Sequence, residues 1–133
     1  MKVGEYCRTD KGKIGKIVHF EPRDKYPYSY DRVILDTEGY KRTTRNIIKC
    51  SEEMIDLVEY MDLLWLEHPI KLYDSDTTIG LFNPVRCDGF TTFEDGTHCI
   101  ILNLDYIVDI KNLKIKGIIT HEQIESMEYK VKE

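Results

Sequence analysis

Along most of this chain apolar and polar residues alternate over short runs, cut by turns that contain glycine or proline, and a period of two predicts strands. Residues 3–18 predict the first hairpin. Gly12 permits a positive φ in its turn, Gly15 leaves room for a bulge or a close backbone neighbour, and Ile14, Ile17 and Val18 supply β-favouring positions. Residues 32–36 and 40–44, joined by a turn at 37–39, predict a second hairpin, while residues 46–49 fit either a single helical turn or a strand. Between the hairpins, residues 21–31 hold two prolines and no aliphatic side chain, the composition of a projecting loop.

Residues 51–68 carry two periods at once. Met54, Val58, Met61 and Trp65 recur as on one face of a helix, with Ser51 placed to cap it. Residues 55–58 and 62–66 also read as two strands, the first closing one sheet and the second opening another, and the strand reading is preferred. Beyond Pro69 the pattern is β again, at 70–73, 85–87, 90–93, 98–102, 106–110 and 114–119, with turns expected at Asp88-Gly89 and at 94–97. Thr120 and Gln123 match a capping box, so a short helix is expected near 121–126, followed by a last strand at 127–131.

Together these elements predict an all-β, or β-rich α+β, protein. An SH3-like small barrel at residues 1–58 is expected to pack on a second small β unit at residues 59–133 with one short helix. At 133 residues the chain is long enough for one compact domain or for two small barrels. Hydrophobic residues at 41% and charged residues at 32% are the mixture of a soluble globular protein, and no run approaches the ~20 apolar residues of a membrane span. Met1-Lys2 is followed by no apolar signal core, so the expected location is the cytoplasm.

Candidate chemistry is sparse. Cys7, Cys50, Cys87 and Cys99 form no CxxC pair and are expected to be free thiols. A zinc site drawn from Cys87, His98, Cys99 and a distant histidine lacks ligand spacing. The run from Asp74 to Gly80 departs from a calcium loop because glycine falls at its seventh position and no glutamate at its twelfth. Neither a nucleophile motif nor a phosphate or dinucleotide loop is present. The expectation is therefore a non-enzymatic protein without metal or cofactor.

Charge divides the chain. Residues 1–50 carry 12 Lys and Arg against 7 Asp and Glu, a balance of +5, and residues 51–133 carry 7 against 17, a balance of −10. A basic half suits phosphate, whereas an acidic half suits a basic protein.

Three stretches carry a resemblance: Val-Gly-Glu-Tyr-x-Arg-Thr-x-x-Gly-x-Ile-Gly-Lys-Ile at residues 3–17, Asn46-Ile47-Ile48-Lys49-Cys50-Ser51 with Ile55-Asp56-Leu57, and residues 115–126. They resemble a family of small uncharacterised proteins encoded by phages and prophages of Gram-positive, low-GC bacteria. That resemblance implies a KOW- or SH3-like N-terminal barrel, an accessory role in an infected or lysogenic host, and no known chemistry. Where the family has a Val-Gly-Asp strand start, this chain has Met61 in place of the glycine.

Two surfaces follow. Asp74, Asp76, Phe82, Asp88, Phe90, Phe93, Glu94 and Asp95 form the candidate acidic and aromatic face for a host protein with a basic surface. In the setting of the resemblance, that partner would be a nucleic-acid-handling or defence machine, and the chain its antagonist, of anti-CRISPR or anti-restriction type. The alternative is an RNA- or DNA-binding KOW-like module that uses Arg23, Lys25, Tyr26, Tyr28, Tyr30, Lys41, Arg42 and Arg45 for phosphate contact and base stacking.

Overall fold

Two antiparallel five-stranded sheets make up most of the molecule, as seen in a computed structural model that describes residues 1–22, 30–73 and 75–131. The protein is β-rich, with one α-helix among the described residues, and divides into two units, Met1–Leu57 and Val58–Glu133.

In the first unit β1 (Tyr6–Thr9), β2 (Ile14–Glu21), β3 (Arg32–Leu35) and β4 (Arg42–Thr43) form a meander, and β5 (Ile47–Ser51) returns to the other side of β1. The turn between β1 and β2 closes with Gly12 N donating to Thr9 O at 3.0 Å, and Gly12 takes a φ of 84°. Gly15 allows β2 to pass close to β3, because a Cβ there would lie 2.8 Å from Thr37 Oγ1 and 3.1 Å from Leu35 Cβ. Cys7, Ile17, Val33 and Leu35 form the buried core, and Phe20, Ile47 and Cys50 pack against it. Ile17 and Leu35 are fully enclosed, a burial worth roughly 2 kcal/mol each.

The closing strand lies earlier than residues 55–58, where it was expected. The segment that fits a helical turn or a strand contains both, a 3-10 turn at Thr44–Asn46 followed by β5. Residues 54–57 instead form a second 3-10 turn. Its cause is local: the Ser51 hydroxyl accepts from Glu53 N at 3.2 Å and donates to Asp56 Oδ2 at 2.6 Å. The helical period in this region does not propagate. Met61 takes a φ of 76°, and from Asp62 onward the burial alternates with period two.

The second unit begins with β6 (Asp62–Leu66). A small ladder of β7 (Ile70–Lys71) and β8 (Thr78–Ile79) follows, then β9 (Val85–Thr92), β10 (His98–Leu102), β11 (Tyr106–Asp109) and β12 (Ile115–Ile119). The large sheet has the order β11-β10-β9-β6-β12. Leu64, Val85, Cys87, Ile100 and Leu102 are buried. Asp88-Gly89 is not a turn. It lies inside β9, where Ile101 pairs with Gly89 but Leu102 pairs with Cys87, so Asp88 sits in a β-bulge. The expected turn at 94–97 is present, with Gly96 N donating to Phe93 O at 2.9 Å.

Helix α1 (His121–Val131) replaces the strand expected at 127–131. Its first turn is capped in part as anticipated: Thr120 N donates to Gln123 Oε1 at 3.0 Å, while the Thr120 hydroxyl also turns to that oxygen, at 3.3 Å. With the helix nucleated and no proline or glycine after Gly117, continuation costs less than a new strand without a partner.

Candidate partner-binding surfaces

The acidic and aromatic residues of the second unit do not form one face. Strand β9 separates them by its length, roughly 25 Å at 3.3 Å per residue. Phe90, Phe93, Glu94 and Asp95 cluster at the β9–β10 turn, and Phe82 lies before the opposite end of β9. Asp76, in the β7–β8 connection, is exposed. Asp74 lies outside the described residues.

The hairpin tip is a defined shape. Phe93 N donates to Thr97 O at 3.0 Å, and Thr97 N donates to Asp95 Oδ1 at 2.9 Å. That backbone hydrogen bond holds the Asp95 carboxyl below the ordinary carboxylate range, so the tip stays charged. Phe90 and Phe93 are 47% and 49% exposed, leaving half of each ring to a partner.

At the other end, Phe82 is 82% exposed, with Leu81 and Leu104 exposed as well. A recess of about 310 Å³ opens here, lined by residues 78–85 and Asn103. Two features set its walls. Gly80 takes a φ of 81° at a point where a Cβ would fall 2.7 Å from Leu66 Cδ1. Asn103 pins the β10 end to β9, its Oδ1 accepting from Arg86 N at 3.0 Å and its N donating to Arg86 O at 2.8 Å.

Asp88 belongs to neither end. Its carboxylate is 1% exposed and lies 2.8 Å from Arg86 Nε as an ion pair, without the alignment of a hydrogen bond. A bulge turns it inward, which the sequence pattern does not signal. Sequence reasoning also passed over Asp62. Fully enclosed, it accepts from Glu59 N through Oδ2 at 3.0 Å and faces His121 Nε2 across 3.4 Å from Oδ1. This contact ties the start of α1 to the start of β6. Alternation along 62–66 is the signal that marks Asp62 as buried, since it shares the face of Leu64 and Leu66. Burial pushes the Cys87 thiol up to about 11, with the Asp62 and Asp88 charges adding to the effect. Among the described residues, no group of three or more His, Cys, Asp or Glu is arranged to hold a metal ion.

In the first unit, Arg23, Lys25, Tyr26 and Tyr28 lie outside the described residues. The other four are placed, and most of their charge is neutralised locally. Arg42 makes a two-pronged contact with Glu38, at 3.0 and 2.9 Å, and lies 3.8 Å from Asp10. That pairing raises the Arg42 pKa further. Lys41 Nζ meets Glu21 Oε2 at 2.6 Å. Arg45 stacks on Tyr30, 4.7 Å from the ring centroid, with both side chains exposed.

The chain matches no protein-family model, no curated protein and no solved structure. The functional reading therefore rests on these surfaces. No described helix is long and apolar enough to cross a membrane.

Proposed function

We propose that the chain is a non-enzymatic binding protein whose second unit docks on a basic protein surface, with Phe82 as its apolar anchor. The observation that supports this is the exposure of Phe82, at 82%, next to the exposed Leu81 and on the lining of a recess of about 310 Å³. An aromatic ring held outside the core on a unit rich in acid has the character of an interface anchor, because its own fold leaves most of it in water and burying it against a partner is favourable. Asp76 near this end and Glu94 and Asp95 at the hairpin tip supply the field that would steer a basic partner. In the setting of the phage resemblance, the partner would be a host nucleic-acid-handling or defence machine, and the chain its antagonist.

The test compares capture from the host by the wild-type chain and by Phe82→Ser. A basic protein retained by the wild type should bind the variant about 30-fold more weakly. Reversing the charge of Asp76, Glu94 and Asp95 should slow association more than it speeds dissociation, and added salt should reproduce that effect. Equal retention by wild type and Phe82→Ser rejects the anchor. Tight, salt-sensitive retention of RNA or DNA that is lost in Arg45→Ala would favour the nucleic-acid reading, which the exposed Arg45–Tyr30 stack supports.

A further inference from the structure

The hydrogen bonds of β1 decide how its two neighbours meet it. Ile17 N donates to Glu5 O at 2.8 Å and Thr9 N donates to Lys13 O at 2.8 Å. In the same register Cys7 pairs with Gly15, so the Glu5 carbonyl, the Thr9 N–H and the backbone groups of Cys7 between them point toward β2. Toward β5, then, Cys7 occupies a position without backbone hydrogen bonds, and its partner there is Cys50. Such pairs bring the Cα atoms to about 4.5 Å, within the span that a disulfide bridges. Side-chain placement agrees. Cys7 is completely enclosed in the core of the first unit, and Cys50 packs against that same cluster from β5, an edge strand of the sheet.

We propose that Cys7 and Cys50 are a cross-strand thiol pair that closes to an intramolecular disulfide when a low-molecular-weight disulfide such as oxidised glutathione is the oxidant, locking β5 to β1. Cys50, half-buried on the edge strand, reacts first. Its thiolate attacks one sulfur of the oxidised glutathione, the S–S bond breaks, and the released glutathione thiolate takes up the proton that Cys50 gave off. The Cys7 thiolate then attacks Sγ of Cys50, the mixed disulfide breaks, and a second glutathione leaves with the proton from Cys7. Two protein thiols are oxidised and one oxidised glutathione is reduced to two thiols. Burial raises both thiols, Cys7 to about 12, so closure runs faster as pH rises. Cys87 and Cys99 offer no such pair, because across β9 and β10 Cys87 meets Leu102 and Cys99 meets Thr91.

Incubating the full chain with oxidised glutathione at mildly alkaline pH tests this directly. The expected product has lost the mass of two hydrogens, leaves two of its four cysteines open to alkylation, and yields a proteolytic fragment in which Cys7 is joined to Cys50. A variant with Cys87→Ser and Cys99→Ser should behave the same way, whereas Cys50→Ser should never lose the two hydrogens. The oxidised form should melt higher than the reduced form by at least about 5 °C. A glutathione adduct that persists on Cys50, a link between other cysteines, or an unchanged mass over a time in which the urea-unfolded chain oxidises fully would each overturn the proposal. An oxidised form that melts lower would show that the bond does not fit the native register.

Discussion

The two units differ in what they do with their charge, and the difference runs against their formal balance. In the first, basic unit the candidate cations Arg42 and Lys41 are paired, by Glu38 and Asp10 and by Glu21, Arg8 is buried against the Leu57 carbonyl at 2.7 Å, and Arg45 stays exposed on Tyr30. In the second, acidic unit the exposed Asp76, Glu94 and Asp95 have no cation within 4.0 Å among the described residues, while Asp62 and Asp88 are buried. A net charge therefore says little about which surface attracts a partner. What matters is whether each charge already has a counterion and whether it faces water. The acidic unit keeps exposed carboxylates, unpaired among the described residues, at Asp76, Glu94 and Asp95; the basic unit pairs the charges of Lys41 and Arg42 with its own acids.

The sharpest break of this contrast is at Asp62. Replacing it with alanine removes a fully buried acceptor and leaves Glu59 N and His121 without it, so the second unit should lose about 3 kcal/mol, read from urea denaturation. Glu94→Ala, at the exposed tip, should move the same midpoint by less than about 0.5 kcal/mol. If the two substitutions cost alike, the distinction between buried and displayed acids fails.

A second expectation spans both units. Cys7 is raised from 9.0 to about 12 and Cys87 from 9.0 to about 11, in each case chiefly by burial. A thiol raised in the fold stays protonated there while the unfolded chain ionises. Its contribution is thus complete below pH 9.0 and is lost as pH rises toward about 12 for Cys7 and about 11 for Cys87. Stability should fall with a slope of at most about 1.4 kcal/mol per pH unit for each thiol. Denaturation midpoints followed from neutral into alkaline pH, for the wild type and for Cys7→Ala, should show the steeper decline only where Cys7 is present.

Smaller effects sharpen the picture. Arg42→Ala should cost about 1 kcal/mol because Glu38 keeps its charge in a nearly enclosed place, and Arg42→Lys should recover only part of it since an ammonium cannot reproduce the two-pronged contact. Retention of full stability by Arg42→Ala would mean that the basic unit's charges are not held as described. Last in size, Met61→Gly should raise the melting temperature slightly, worth up to about 1 kcal/mol, because Met61 occupies a left-handed φ of 76° that glycine adopts without strain. A lower melting temperature would show that the methionine side chain outweighs the backbone cost.

Much of the fold was legible in the chain because its signals are local. Alternation and turn residues located the first two hairpins, the strand at 62–66 and the hairpin around residues 94–97, and the Thr120–Gln123 pair located the start of α1. The errors fell where two local signals compete or where a partner is needed to choose. Residues 54–57 became a single 3-10 turn because Ser51 and Asp56 closed on each other before a helix formed. Asp88-Gly89 reads as a turn in isolation, yet pairing with β10 absorbed it as a bulge.

The candidate surfaces divide along the same line. Residue type and charge balance belong to the sequence, and with them the acidic and aromatic character of the second unit. Only the tertiary structure decided that Asp88 turns inward, that Phe82 and Phe93 stand at opposite ends of β9, that Arg42 is already paired, and that Cys7 faces Cys50 across two strands far apart in the chain. The physical reason is that burial and pairing depend on register between distant segments. A one-residue shift changes which side chain meets which, while leaving composition and local pattern untouched.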